Sequence, residues 1–175
     1  NNLKTLIHFS KEFKMIKGKM NVYSCGGSGI NIGRHIANRS QEFNSDAFAD
    51  REIYFLDTSA SNLGGLTAKD PNVYIYEDAD GAGKNRRHVA NIIMENVNPV
   101  LLKFKPAEIN IVIASNSGGS GSVIAPSLIS ELLSRGENVI FFGVNSYEDR
   151  KALENVIASM KTYESIAKLR EKPVV

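Results

Sequence analysis

The stretch "INIVIASNSGGSGSVIAPSLI", Ile109–Ile129, joins an apolar run to a second apolar run through a cluster of serine and glycine. Ile109 to Ala114 is short, rich in β-branched residues and almost continuously apolar, the pattern of a strand buried on both faces of a parallel sheet. The second run has another period. Val123, Ile124, Leu128, Ile129, Leu132 and Leu133 recur three to five positions apart, as on one face of an amphipathic helix, and Gly136 supplies a C-terminal stop. A strand, a glycine-rich turn and a helix therefore follow one another. The start of a helix offers unpaired N–H groups and a partial positive charge, and residues without side chains let an anion reach them. Such a turn suits a phosphate; the competing reading is a plain connection in which serine caps the helix.

The same alternation runs outward in both directions. Met20 to Ser24 reads as a strand, Ile30 to Phe43 as a helix, "REIYFLD" (51–57) as a strand ending at Asp57, and "NVYIY" (72–76) as another. Arg86 to Phe104 reads as a helix kinked or broken at Pro99. Glu137 to Val144 reads as a further buried strand. Glu148 to Arg170 reads as a helix with Leu153, Val156, Ile157, Met160 and Ile166 on its apolar stripe. Strands alternating with helices imply βαβ units, hence an α/β, doubly wound, mostly parallel sheet. The closing residues "EKPVV" resemble the opening of one more strand.

Composition sets limits on function. The chain has 175 residues, 42% hydrophobic and 23% charged, enough for one ordinary core. A formal charge of +2 gives no reason to expect nucleic acid as a direct partner. No apolar run approaches the roughly 20 residues of a membrane span. Cys25 is the only cysteine, so no internal disulfide exists, which fits a cytoplasmic setting; at a strand end it reads as a small buried residue rather than a nucleophile. His8, His35 and His88 show no metal-ligand spacing. The leader, residues 1–19, starts with Asn rather than Met and sets Leu3, Leu6, Ile7, Phe13 and Ile16 against lysines. It reads as upstream sequence before a start at Met20, as a segment docking on the sheet or a neighbour, or as a membrane-surface helix.

The first strand is followed by "CGGSGINIG", Cys25 to Gly33. Gly26, Gly27 and Gly29 allow a ligand to approach the backbone, and Gly33 allows close helix packing. The spacing is one residue longer than G-x-G-x-x-G, and Asp57 sits where a ribose-binding acid would lie, so an NAD(P)-binding oxidoreductase is one reading. No P-loop motif occurs. The dinucleotide reading does not use the loop at 117–122, nor a third glycine-bearing loop, "DGAGKNRR", whose Lys84, Arg86 and Arg87 at a helix start are unfavourable unless an anion is present.

Taken together, "GGSGINIG", "GAGKNR" and "SGGSGS" resemble the three phosphate loops of the tubulin/FtsZ family, in order and spacing from Met20 to Val175, and most closely those of its bacteriophage branch. The resemblance implies a GTP-binding domain over 20–175 that holds GTP or GDP with Mg2+. It places Gly26, Gly27, Ser28 and Gly29 around the α- and β-phosphates and Asn31 at the guanine. Asp57 and Thr58 fall near the magnesium, and Ala82, Gly83, Lys84 and Asn85 at the γ-phosphate. Ser117, Gly118, Gly119, Ser120, Gly121 and Ser122 fall around the β-phosphate, and Glu148 at the ribose or base. Ser117 departs from the family's first signature glycine and Val123 from its last. The resemblance further implies self-association head to tail into filaments and hydrolysis of GTP on assembly. In a phage it implies a filament in the host cytoplasm that positions phage DNA. The family's central helix, acidic catalytic loop and C-terminal domain have no counterpart in the 175 residues, so no catalytic residue is assigned, and a tubulin-like module that binds without turnover is the other reading. On the residues alone, replacing Gly119 or Gly121 with Val is expected to abolish GTP binding and spare the fold.

Overall fold

The computed structural model describes residues 18–42, 49–76, 79 and 86–172, the side chains of 40–42 and 86–88 excepted. The leader through residue 17, the loop residues Ala82, Gly83, Lys84 and Asn85, and residues 173–175 lie outside the described residues. Among the described residues five parallel strands form one sheet: β1 (Gly18–Cys25), β2 (Ala49–Asp57), β3 (Val73–Ile75), β4 (Ile109–Ser115) and β5 (Val139–Val144), in the order β3-β2-β1-β4-β5. Four helices alternate with them: α1 (Gly26–Glu42), α2 (Arg86–Lys103), α3 (Gly121–Ser134) and α4 (Arg150–Arg170). The doubly wound α/β architecture expected from the sequence is the one observed.

Side chains alternate across each strand and divide the core into two layers. Tyr23, Cys25, Tyr54, Leu56, Val112 and Ala114 face α2, α3 and α4, while Phe55 and Val73 meet Ile30 of α1 on the opposite face. Tyr54 stacks on Phe104 with centroids 4.2 Å apart, and the Tyr23 hydroxyl donates to the Phe104 carbonyl at 3.0 Å, fixing the end of α2 to the sheet. Burial of Val123, Ile124, Leu128, Ile129 and Leu132 holds α3. At about 1.5–3 kcal/mol per fully buried side chain this far exceeds any cap, and Ser120 at the N-cap makes no capping bond.

Four expectations change. α1 begins at Gly26 rather than Ile30, because the glycines that read as a loop form its first turn. Gly29 lets that turn lie on the sheet, since a Cβ there would come within 2.5 Å of the Ile113 carbonyl oxygen. α2 runs unbroken through Pro99 to Lys103. Among the described residues β5 lies at the edge of the sheet, and Ile140, Phe142 and Val144 are exposed rather than buried, on the face that α1 covers only over its neighbours. The inward face of α4 is also rotated from its apolar stripe. Val156 and Ile166 are buried as expected, but Leu153, Ile157 and Met160 are exposed, and Asn155, Ser159 and Tyr163 point inward in their place.

Candidate functional site

In this strand order the chain leaves β1 and β4 toward opposite faces, so their C-terminal ends flank the crevice where open α/β sheets bind ligands. The loops that read as phosphate-binding lie at this point. Gly26 has φ +71°, a conformation available to glycine at little cost, and a Cβ there would stand 2.7 Å from the Gly121 nitrogen. Reciprocally, a Cβ on Gly121 would meet the Cys25 carbonyl oxygen at 2.7 Å. The starts of α1 and α3 are thus in backbone contact, and neither carries an acidic residue in its first turn. Two helix N-termini side by side, neither with an acidic residue in its own first turn, favour an anion.

The end of β2 joins them. Thr58 Oγ1 and Ser120 Oγ are 2.6 Å apart, tying the β2 loop to the start of α3. Asp57 is fully buried; its Oδ1 accepts from the Thr58 backbone N–H at 2.7 Å and its Oδ2 from Asn62 Nδ2 at 2.8 Å. Asn62, on the short 3-10 turn Ala60–Asn62, also lies against α1, 3.3 Å from where a Gly27 Cβ would be. Nothing in its sequence context singles Asn62 out. Both carboxylate oxygens of Asp57 are held by protein donors in a buried setting. The hard oxygens of Asp57, Thr58 and Ser120 do fit Mg2+, which keeps most of its waters and binds through one carboxylate plus substrate phosphates. No cluster of three histidine, cysteine, aspartate or glutamate side chains able to hold a metal occurs among the described residues.

The loop Asn116–Ser120 is held from within and from behind. The Ser117 N–H donates to Ser115 Oγ at 3.3 Å, and the Ser122 hydroxyl donates to the Gly118 carbonyl. Gly118 itself faces open space among the described residues, with none of their atoms within 4 Å of a Cβ placed on it. Gly119 is buried, and Ser28 is exposed on the first turn of α1. Asn31 is exposed on α1, and Glu148 is exposed in the loop before Asp149, which caps α4 by accepting from the Ala152 N–H at 2.7 Å. The structure therefore brings Gly26, Gly27, Asp57, Thr58, Ser120 and Gly121 into one place and leaves Asn31 and Glu148 at the surface. Cys25 is fully buried, and burial together with the charge of Asp57 pushes its thiol well above the ordinary range, so it is a packing residue. The expectation that Gly121→Val spares the fold is corrected: a side chain there collides with the backbone of β1 before any ligand is considered.

This geometry defines a doubly wound protein with two glycine-bearing helix starts in backbone contact at the switch point. No family profile matches the chain. A phage tubulin-like protein of Pseudomonas phage PhiPA3 is 36% identical over 161 residues, covering 92% of this chain and 47% of that protein. Among solved structures, the protofilament of TubZ from bacteriophage PhiKZ superposes with a TM-score of 0.75 at 32% identity, covering 90% of this chain and 48% of that one. The phage tubulin PhuZ bound to GDP superposes with a TM-score of 0.77 at 26% identity, covering 89% and 46%. The curated relatives of the chain are phage tubulin-like proteins and its structural neighbours are members of the tubulin/FtsZ family, and the chain spans about half the length of those it matches. The oxidoreductase reading loses its support with this relationship. No helix among the described residues is long and apolar enough to cross a membrane.

Proposed function

We propose that this chain is the guanine-nucleotide-binding portion of a tubulin-like filament protein, holding GTP or GDP with Mg2+ at the joined starts of α1 and α3. The observation that carries the reading is the backbone contact of Gly26 with Gly121, which makes one N–H-rich rim of two loops far apart in sequence. The GDP in a PhuZ relative and the protofilament of a TubZ relative support it. Gly26, Gly27, Ser28, Gly29 and Ser117 to Ser122 surround the α- and β-phosphates; Ala82, Gly83, Lys84 and Asn85 close on the γ-phosphate. Asn31 and Glu148 reach the base and ribose from the surface. Mg2+, when bound, neutralises phosphate charge, and Asp57 with Thr58 holds its water shell. These residues bind, orient and charge-stabilise a triphosphate, which is only part of what phosphoryl transfer to water requires. The water-positioning acid comes from the length that the relatives have and this chain does not span. Hydrolysis then appears on head-to-tail assembly of the complete protein, whose filament, in a phage, moves or positions DNA in the host cytoplasm.

Titration with a fluorescent guanine nucleotide, in competition with GDP, ATP and NAD, tests the binding reading. GDP displaces the probe, whereas ATP and NAD do not. Equal displacement by ATP removes guanine recognition, and binding of NAD without GTP restores the oxidoreductase. GTP-dependent sedimentation of a chain of the relatives' length tests assembly, and hydrolysis rising steeply with concentration in the 175-residue chain alone would refute the division of labour.

A further inference from the structure

The rotation of α4 places three polar side chains, at every fourth position, against the loop that follows β4. Asn155 Nδ2 donates to the Ser117 carbonyl at 3.0 Å, and Ser159 Oγ donates to the Asn116 carbonyl at 3.1 Å. The Tyr163 hydroxyl donates to Asn116 Oδ1 at 3.2 Å. Asn116 continues the chain of contacts, its Nδ2 donating to Asn145 Oδ1 at 2.9 Å and its backbone N–H to the Val144 carbonyl at 2.9 Å. Asn155, Ser159, Tyr163 and Asn116 are all buried, at 5%, 0%, 4% and 3% exposure. Each of the three helix side chains meets a loop acceptor that an apolar residue would leave without that donor.

We propose that Asn155, Ser159 and Tyr163 form a brace on α4 that sets the peptide orientation of the phosphate loop, and so are positioning residues for the nucleotide's β-phosphate. The proposal rests on the nucleotide reading above. In a trans peptide the carbonyl and the following N–H point in opposite directions. Drawing the Ser117 carbonyl toward Asn155 therefore turns the Gly118 N–H away from α4, on the residue whose Cβ position meets only open space. The same constraint at the Asn116 carbonyl turns the Ser117 N–H back to Ser115 Oγ, which accepts it. One peptide is thus closed off inside the loop and the next is left presenting its donor outward. Without the brace the Ser117 carbonyl is free to rotate toward the site, where its lone pairs would repel a phosphate.

Asn155→Leu, Ser159→Ala and Ser159→Thr are compared with Thr162→Ala, a half-buried position on the same helix whose hydroxyl donates to the helix's own Ala158 carbonyl. GDP and GMP affinities are measured for each, because misplacing a β-phosphate donor lowers the first and not the second, whereas general loosening lowers both alike. Asn155→Leu and Ser159→Ala are expected to reduce the GDP-to-GMP affinity ratio about tenfold, the weight of one hydrogen bond to a charged group. Ser159→Thr, which keeps the hydroxyl, restores it, and Thr162→Ala leaves it unchanged. The amide resonances of Ser117 and Gly118 in nucleotide-free protein give a second reading: they shift or broaden in Asn155→Leu and Ser159→Ala and stay put in the other two. An unchanged ratio, or unmoved loop resonances, overturns the brace. If the unaltered protein binds neither GDP nor GMP, the proposed function fails, and the resonances still decide whether α4 orders the loop.

Discussion

Glycines 118 and 121 stand three apart in one loop and differ completely in what surrounds them, so replacing each with alanine separates the demands of the fold from those of a ligand. A Cβ on Gly121 would lie 2.7 Å from the Cys25 carbonyl oxygen and 3.4 Å from that of Ser115, and both are backbone atoms of central strands that cannot swing aside. Gly121→Ala must push the start of α3 off β1, an overpacking that costs about 1–3 kcal/mol. For a domain of this size each 1 kcal/mol lowers the melting temperature by roughly 2–4 °C. Gly118→Ala adds a methyl group where no atom lies within 4 Å, at a backbone angle open to L-residues. Its effect on the nucleotide-free protein is within about 0.5 kcal/mol. If a phosphate occupies that space, the same methyl group meets it, and affinity falls at least about tenfold for each 1.4 kcal/mol of lost contact. The assay is urea unfolding of both variants without nucleotide, paired with titration of a fluorescent guanine nucleotide. Stability lost at 121 and affinity lost at 118 is the expected division. A Gly118→Ala protein that binds GTP as the unaltered one does would place the phosphate elsewhere, and a Gly121→Ala protein of undiminished stability would refute the packing argument.

Asp57→Asn keeps the shape and the bond accepted from the Thr58 N–H but removes the charge and the acceptor for Asn62; the increase in GTP affinity on adding Mg2+ should shrink, as paired isothermal titrations with and without Mg2+ would reveal. Cys25 should react with a thiol-specific reagent at pH 8 only through opening of the fold, so labelling is slow in buffer and complete in urea. If opening is global, saturating GTP at about 100 times its Kd slows labelling further by the roughly 2.7 kcal/mol of linkage that such binding supplies; unaffected labelling would mean that Cys25 is exposed by a local motion. Tyr23, pushed up to about 12 by burial, holds its proton more tightly folded than unfolded. Its contribution to stability is therefore complete below the ordinary tyrosine pKa near 10 and is lost as pH rises toward 12. Tyr23→Phe should flatten that part of the stability profile.

The parallel sheet was legible because burial leaves a period in the sequence. β4 and α3 announce themselves as a continuous apolar run and a helical stripe, and both appear within a residue or two of their expected bounds. The failures share a cause: periodicity reports which residues are apolar, and burial is decided by what else is nearby. β5 is as apolar as β4, yet it lies at an edge, and α1 reaches only the strands beside it. On α4 the pattern was misleading in a more instructive way. Leu153, Ile157 and Met160 are the more hydrophobic face and Asn155, Ser159 and Tyr163 the more polar one, but the Asn116 and Ser117 carbonyls lie beneath the helix and need donors. A buried carbonyl without a partner costs about 1–3 kcal/mol, which rivals the gain from burying one more aliphatic side chain and tips the helix toward its polar face.

The site poses the same difficulty in reverse, because its glycines were conspicuous and their reasons were not. Gly26 and Gly121 are required by each other across two strands, a relation that no spacing within either loop encodes. Among the described residues nothing requires a glycine at 118, which makes it the loop glycine that points most directly at a ligand. Asn62 and Asn155 complete the argument from the polar side. Each holds a group of the site in place, one through the Asp57 carboxylate and the other through the Ser117 carbonyl, from elements where an asparagine is unremarkable. The loops supply the N–H groups, and residues distant in sequence decide which way they point. A substitution at 62 or 155 should therefore alter nucleotide binding while leaving every glycine motif intact, and a protein selected for those motifs alone could carry all three loops and still bind phosphate poorly.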